Sequence, residues 1–267
     1  MSRFIDTHCH FDFPVFYHDL ENSLALAQQA QVKKIIIPAV AQWNWDAVTE
    51  LSRYNNALYC ALGLHPLYIE AHTEQHLIEL KTRLKTTPRC VAMGEMGLDN
   101  YMTNPHPEKQ QQFLIAQLKL AIEFDLPVIL HSRKTHDNLS AILRRYSVPR
   151  KGVIHGFSGS LQQAERFVQQ GYFIGVGGTI TYPRAQKTRR AIASLPLERL
   201  LLETDAPDMP VSGFQGEPNR PERILAVFSS LCELPLLFYQ KILDRRFQLH
   251  GHEGNPTPTA MMVSNRR

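Results

Sequence analysis

Eight short apolar runs, each followed by a longer segment of mixed polarity, constrain this chain of 267 residues more than any other feature. Continuous aliphatic and β-branched runs are typical of parallel strands that are buried on both faces. Strands that alternate with helices predict a TIM-type (β/α)₈ barrel of the α/β class, for which about 250 residues suffice, with a doubly wound open sheet as the alternative. The runs lie at residues 3–8, 34–40, 58–64, 90–95, 127–131, 152–155, 172–176 and 200–203.

The segments between these runs have the periodicity of amphipathic helices. In residues 107–124, for example, Phe113, Leu114 and Leu118 mark one apolar face. The other clear helical segments are residues 20–31, 161–170 and 185–194. Because no linker or internal repeat divides the chain, we expect a single barrel domain over residues 1–250. Residues 251–267 are polar and proline-rich and are predicted to form a disordered tail.

Ionisable side chains cluster at the predicted strand ends, where barrels carry their catalytic groups. His8 and His10 follow the first run, and their spacing of two places both imidazoles on one side of the strand end. Five other runs also end in such residues: His65, Glu95, His131, His155 and Asp205. One histidine or carboxylate at such a position is most often a core, loop or capping residue. The whole set predicts a metal site instead.

The types of these side chains indicate the kind of metal. Imidazole and carboxylate ligands without a thiolate suit zinc, manganese, iron or nickel. Four of these five histidines and the two carboxylates already exceed the needs of one tetrahedral zinc, whereas two ions sharing a carboxylate would use all six. Two-metal sites clamp the attacking and leaving oxygens of a phosphoryl displacement and lower the pKa of a bound water, which becomes the nucleophile. We therefore expect two divalent cations per subunit, with zinc, magnesium or manganese as the candidates.

Seven motifs carry a resemblance to a known family. They are Ile5-Asp6-Thr7-His8-Cys9-His10, Gly63-Leu64-His65-Pro66, Gly94-Glu95-Met96-Gly97-Leu98-Asp99, His131-Ser132-Arg133, His155-Gly156-Phe157-Ser158-Gly159-Ser160, Glu203-Thr204-Asp205-Ala206-Pro207 and Asn219-Arg220-Pro221. Over residues 4–225 the chain resembles the TatD family of metal-dependent deoxyribonucleases, within the amidohydrolase-like barrel superfamily. Members generally end in a helix followed by an Asn-x-x-x-Leu-Phe-like stretch, and the Asn is absent from residues 243–251 here.

The resemblance implies which residues bind each of the two metals, an assignment that the residue pattern alone leaves open. One metal would be held by His8, His10 and Asp205, and the other by His131 and His155, with Glu95 as the bridge. Asp205 would also orient or deprotonate the attacking water. His65 would line the site and contact the scissile phosphate or its leaving oxygen. The catalytic residues are thus predicted to be Asp205, Glu95 and His65.

Several neighbours have two interpretations each. Arg133 is predicted either to clamp a substrate phosphate or to form a salt bridge at the rim. Phe157 would stack on a base or pack in the core, the latter being favoured. The basic run Arg184, Lys187, Arg189 and Arg190 is a solvated helix face or a contact for backbone phosphates. His72 and His76 are predicted to lie on a surface helix outside the site.

The leading hypothesis is a metal-dependent phosphodiesterase that acts on DNA, most readily on single strands. One alternative is a hydrolase of a small amide, lactone or phosphoester on the same barrel, and another is a non-catalytic metal-containing binding protein. The net charge of +4 is compatible with an anionic substrate but does not require one. Four cysteines without a Cys-x-x-Cys pair predict buried free thiols in a reduced, cytoplasmic compartment. No membrane association is expected, and a monomer is the default.

Overall fold

A computed structural model describes residues 4–234 and confirms the (β/α)₈ barrel. All the strands of this part of the chain belong to one eight-stranded sheet, paired in chain order and parallel throughout. The order excludes the doubly wound sheet, because the strand order of such a sheet reverses at a switch point. The strands are β1 (Phe4–Asp6), β2 (Val32–Pro38), β3 (Leu58–Leu62), β4 (Cys90–Asp99), β5 (Val128–Arg133), β6 (Gly152–Ile154), β7 (Phe173–Val176) and β8 (Leu200–Leu202).

Helices connect the strands, and the bounds predicted from periodicity differ from the observed ones by at most two residues at either end. Local signals explain where they begin. Pro107 occupies the first turn of its helix, where no amide hydrogen is needed, and the Ser160 hydroxyl accepts a hydrogen bond from Gln163 N. The helices are α1 (Pro14–Tyr17), α2 (Leu20–Gln29), α3 (Trp45–Tyr54), α4 (Glu74–Thr86), α5 (Pro107–Glu123), α6 (His136–Arg145), α7 (Leu161–Gln169) and α8 (Gln186–Ala193).

The barrel closes where β1 meets β8. Thr7 N donates to Leu202 O at 3.1 Å, and Asp205 N donates to His8 O at 2.8 Å. The buried Asp6 carboxylate reinforces this closure, because it accepts hydrogen bonds from both Thr204 N and Thr204 Oγ1 at 3.0 and 2.6 Å. The closure therefore places His8 directly beside Asp205, although about 200 residues separate them along the chain.

Two apolar clusters hold the fold together. The larger one packs the helices against the outer faces of the strands, with Trp45 and Phe167 among its fully buried members. The smaller one draws on residues from seven strands and fills the barrel interior. Its members are Ala61, Ala92, Ile129 and Val153, with Ile36, Phe173 and Leu201 packed against them. This packed interior supports the carboxyl ends of the strands, where the polar residues gather.

The four cysteines are all free, with Cys9, Cys60 and Cys90 buried and Cys232 exposed. Among the described helices, none combines the length and the hydropathy that a membrane span requires. The predicted end of the barrel domain at residue 250, the atypical segment 243–251 and the predicted tail 251–267 lie outside the described residues.

Candidate metal centre

The carboxyl ends of six strands bring seven predicted side chains into one cluster. His8 and His10 follow β1, His65 follows β3, His131 lies in β5, His155 follows β6 and Asp205 follows β8. Glu95 differs from the expectation, because β4 does not end there but continues to Asp99. The pairing of β4 with β5 shifts register between Met93 and Met96, and this irregularity turns Glu95 into the barrel mouth.

Glu95 is the centre of the cluster, and its two carboxylate oxygens face different imidazoles. Oε2 lies 3.1 Å from His8 Nε2 and 3.6 Å from His10 Nε2. Oε1 lies 2.7 Å from His155 Nε2 and 3.1 Å from His131 Nδ1. One carboxylate therefore separates two pairs of histidines, the arrangement expected of a residue that bridges two cations.

Asp205 and His65 complete the cluster around Glu95. Asp205 Oδ1 lies 3.4 Å from His8 Nε2 and 3.7 Å from His10 Nε2. His65 Nε2 lies 2.8 Å from Glu95 Oε1, on the side of the second histidine pair. Three sets of potential ligand atoms thus lie within 4.8 Å of one another: His8, His155 and Asp205; His8, His10 and Glu95; and His65, Glu95 and His131.

The donor set fits divalent cations. Three imidazole nitrogens approach the buried Glu95 Oε1 to within 3.1 Å. Ligand atoms that each lie about 2.1 Å from one cation are separated from one another by roughly 3 to 3.5 Å. Most of the distances in the cluster fall in or near that range, and the ligand types suit zinc or manganese. The residues of the three candidate ligand groups are His8, His10, His65, Glu95, His131, His155 and Asp205.

Burial and neighbouring charges shift the pKa values of these groups in both directions. Burial alone would lower the pKa of His155, but the charge of Glu95 raises it to about 10. Burial lowers the pKa of His10 to about 4 and raises that of the Asp205 carboxyl to about 7. Burial would also raise the pKa of Glu95, but the charges of His155 and His65 hold it well below its usual value. Uncompensated charge of either sign is thus costly here, and ligation of a cation by neutral imidazoles and ionised carboxylates relieves that cost.

Sequence reasoning missed a carboxylate behind His131. His131 Nε2 and Asp99 Oδ2 form a hydrogen bond of 2.9 Å, which leaves Nδ1 directed at Glu95. Partners of this kind orient metal-binding histidines. The signal was present in the third motif, since Glu95 and Asp99 are four residues apart and share one face of an extended strand.

Two further supporting contacts also escaped the sequence analysis. The fully buried Glu203 accepts a hydrogen bond from Gly156 N and lies 4.0 Å from His155 Nδ1. The prediction that His72 lies on a surface helix is wrong, because α4 begins only at Glu74 and His72 is buried. Its Nε2 lies 2.9 Å from His65 O, so it helps to hold the segment that carries His65.

The remaining predicted neighbours lie outside the cluster. The exposed guanidinium of Arg133 lies over the ring of Tyr101, 3.8 Å from its centroid. Phe157 is buried and packs edge-on against His136, with ring centroids 5.2 Å apart, as its favoured packing role requires. The basic run divides, since Arg189 is buried and donates to Ile180 O, whereas Arg184, Lys187 and Arg190 are exposed.

The chain is similar to known metal-dependent hydrolases. Residues 5–244 match the family described as TatD related DNase. The metal-dependent hydrolase YjjV of Escherichia coli K12 is 61% identical over 235 residues, which is 88% of this chain and 91% of YjjV. Its crystal structure superimposes with a TM-score of 0.86 at 57% identity, covering 92% of this chain and 97% of that one. Deoxyribonuclease Tat-D of Schizosaccharomyces pombe is 30% identical over 227 residues, 77% of this chain and 72% of Tat-D.

Proposed function

We propose that this chain, which belongs to the family of TatD-related DNases, cleaves the phosphodiester bonds of DNA. Membership of the family makes it a metal-dependent hydrolase that acts on ester bonds. The step from hydrolase to deoxyribonuclease is supported by the S. pombe relative, whose name records that activity.

The position of Glu95 between two histidine pairs carries the proposal. It supports two divalent cations per chain, with His8, His10 and Asp205 around one, His131 and His155 around the other, and Glu95 between them. The identity of the cations is proposed to be zinc, magnesium or manganese. When bound, such cations polarise the phosphoryl oxygens and lower the pKa of water to near neutrality.

Asp205 is proposed to take the proton from the attacking water. Its side chain is 12% exposed, against 2% for Glu95, so a water at the mouth of the barrel reaches Asp205 more easily. A carboxylate that accepts this proton does the work of a general base. Glu95, which is enclosed by imidazoles, is proposed to hold its position and charge rather than to transfer a proton.

His65 is proposed to donate a hydrogen bond to the scissile phosphate or its leaving oxygen. Its Nδ1 accepts a hydrogen bond from Leu67 N at 2.9 Å. In the neutral ring this assigns the hydrogen to Nε2, which points into the cluster beside Glu95. A hydrogen-bond donor at this place stabilises the negative charge that develops as the bond to phosphorus breaks. Arg133, at the rim, remains a proposed contact for a more distant phosphate.

The substrate is proposed to be single-stranded DNA, which enters an open barrel mouth more easily than a duplex does. The net charge of +4 is compatible with an anionic substrate. The free cysteines support a reducing, cytoplasmic environment. We propose that the chain acts as a monomer without a membrane partner, because each of the candidate ligand sets is complete within one chain.

The proposal is tested by side-by-side assays of the metal-loaded protein. We expect it to cleave an end-labelled single-stranded oligodeoxynucleotide faster than the corresponding duplex. Small carboxylic esters, amides and lactones serve as the competing substrates. Turnover of these small compounds without cleavage of DNA would favour the small-molecule hydrolase instead, and no turnover of any substrate would favour a metal-containing binding protein.

A further inference from the structure

A cleft of about 320 Å³ lies between the segments that follow β7 and β8. It is lined by Thr179, Tyr182, Arg184, Ala185, Met209 and Pro210. Met209 joins this cleft to the centre, because it follows Asp205 by four residues and its Sδ lies against Gly156. A Cβ atom built on Gly156, the neighbour of His155, would be 3.7 Å from that sulfur.

The walls of the cleft are held together by hydrogen bonds across the two segments. Tyr182 OH donates to Pro210 O at 2.7 Å, and Ser212 N donates to Thr181 Oγ1 at 2.8 Å. The buried guanidinium of Arg189 donates to Ile180 O from helix α8. These bonds fix the ring of Tyr182 relative to Met209 and Pro210, so the cleft is formed before any ligand arrives.

Arg184 supplies a positive charge at this cleft. Its guanidinium carbon lies 5.2 Å from the centroid of the Tyr182 ring, which is close enough for a cation–π contact. Ion pairs occupy other arginines, such as Arg166 and Arg223, but within residues 4–234 no acidic side chain pairs with Arg184. An exposed guanidinium that is oriented by a ring but lacks a counter-ion is suited to bind an external anion.

We propose that this cleft is a subsite for the nucleotide next to the scissile phosphodiester, an inference that rests on the proposed function. Arg184 binds the phosphate of that nucleotide, because a guanidinium donates two parallel hydrogen bonds to phosphate oxygens. Tyr182, Met209 and Pro210 contact its base, since aromatic and apolar surfaces accept any base without sequence preference. The guanidinium of Arg184 thus matches the phosphate of one nucleotide, and the apolar wall matches its base.

The test compares Arg184→Ala with Arg190→Ala in the metal-loaded enzyme. Both substitutions remove one exposed arginine, but Arg190 lies on α8 outside the cleft. The probes are a labelled single-stranded oligodeoxynucleotide and bis(p-nitrophenyl) phosphate, a diester that has no neighbouring nucleotide. For R184A we expect the KM of the oligonucleotide to rise about tenfold. The ratio of kcat/KM for the oligonucleotide to kcat/KM for the small diester should fall by a similar factor. For R190A both quantities should change little.

A binding measurement accompanies the kinetics. Fluorescence anisotropy gives the Kd of the same oligonucleotide for D205N protein with and without R184A, and the two proteins are compared at equal metal content because Asp205 is itself a proposed metal ligand. We expect the slope of log Kd against log salt concentration to decrease by about 0.7 when the Arg184 contact is lost, as for one phosphate on a single strand. R184K should retain part of the affinity, since lysine keeps the charge but not the paired hydrogen bonds.

The outcomes separate the subsite from the function. If the wild-type protein cleaves the oligonucleotide but R184A and R190A behave alike in KM and in salt slope, the subsite is wrong and the deoxyribonuclease proposal stands. If the wild-type protein cleaves the small diester but not the oligonucleotide, the deoxyribonuclease proposal is wrong and the subsite falls with it.

Discussion

His131 and Asp99 share a hydrogen bond of 2.9 Å between Nε2 and Oδ2, on the side of the imidazole that faces away from Glu95. Asp99 is almost fully buried and also accepts a hydrogen bond from Tyr101 N at 2.7 Å, so its own position is fixed. A carboxylate in this place keeps the hydrogen of the neutral ring on Nε2. The lone pair of Nδ1 is then free to bind a cation beside Glu95.

Replacement of Asp99 by Asn should weaken metal binding without unfolding the protein. Asn has the same shape, but its amide can donate to Nε2 and so move the ring hydrogen to Nδ1, where it blocks ligation. We expect the metal affinity to fall about 10- to 100-fold, as measured by competition with a chelator of known affinity. Asp137→Asn is the control, since Asp137 forms an exposed ion pair with Arg166. Equal affinities of the two variants would contradict this role of Asp99.

The division of ligands around Glu95 predicts how metal content responds to the loss of single histidines. His10 contacts only one carboxylate oxygen of Glu95, and His131 contacts the other. We therefore expect the His10→Ala and His131→Ala proteins each to retain about half of the wild-type metal after desalting. Each substitution removes one ligand from only one of the two ions. Elemental analysis by mass spectrometry measures this content. A variant that loses all of the metal while the other loses none would point to a single ion.

Asp205→Asn should preserve the fold and slow catalysis. Its backbone amide keeps the hydrogen bond to His8 O that closes the barrel, whereas the amide side chain no longer accepts a proton. Loss of a general base lowers kcat by about 10² to 10⁴-fold, which single-turnover cleavage of a labelled oligonucleotide would measure. Asp125→Asn, which alters an exposed ion pair with Arg150 ahead of β5, serves as the control. Wild-type cleavage by D205N would exclude Asp205 as the base.

The close approach of β4 and β5 at Gly97 predicts a large loss of stability when this glycine is replaced. Gly97 has φ of 153°, and a Cβ atom there would lie 2.0 Å from His131 O. Gly97→Ala should therefore lower the free energy of unfolding by more than about 4 kcal/mol, the range reserved for severe backbone conflicts. Gly213 also has a positive φ, 93°, but open space around it. Gly213→Ala should cost only about 1 to 3 kcal/mol in urea denaturation, and equal costs would contradict the packing account.

The sequence predicted those parts of the molecule that depend on local pattern. The eight apolar runs located every strand, and the barrel rule brought His8, His155 and Asp205 together although they are far apart in the chain. What escaped prediction depends on non-local register and burial. The extension of β4 beyond Glu95 requires the register shift against β5, and the position of His72 depends on its contact with the carbonyl oxygen of His65. Neither contact leaves a periodic trace in the sequence.

The central claim is tested most directly by metal content and DNA cleavage measured on the same samples. The protein is stripped with a chelator, and zinc, manganese or magnesium is returned in steps while elemental analysis and cleavage of a labelled single strand are followed together. We predict no cleavage by the stripped protein and activity that approaches its maximum as the content nears two ions per chain. Cleavage that persists in the stripped protein at the rate of the reloaded one would contradict the account.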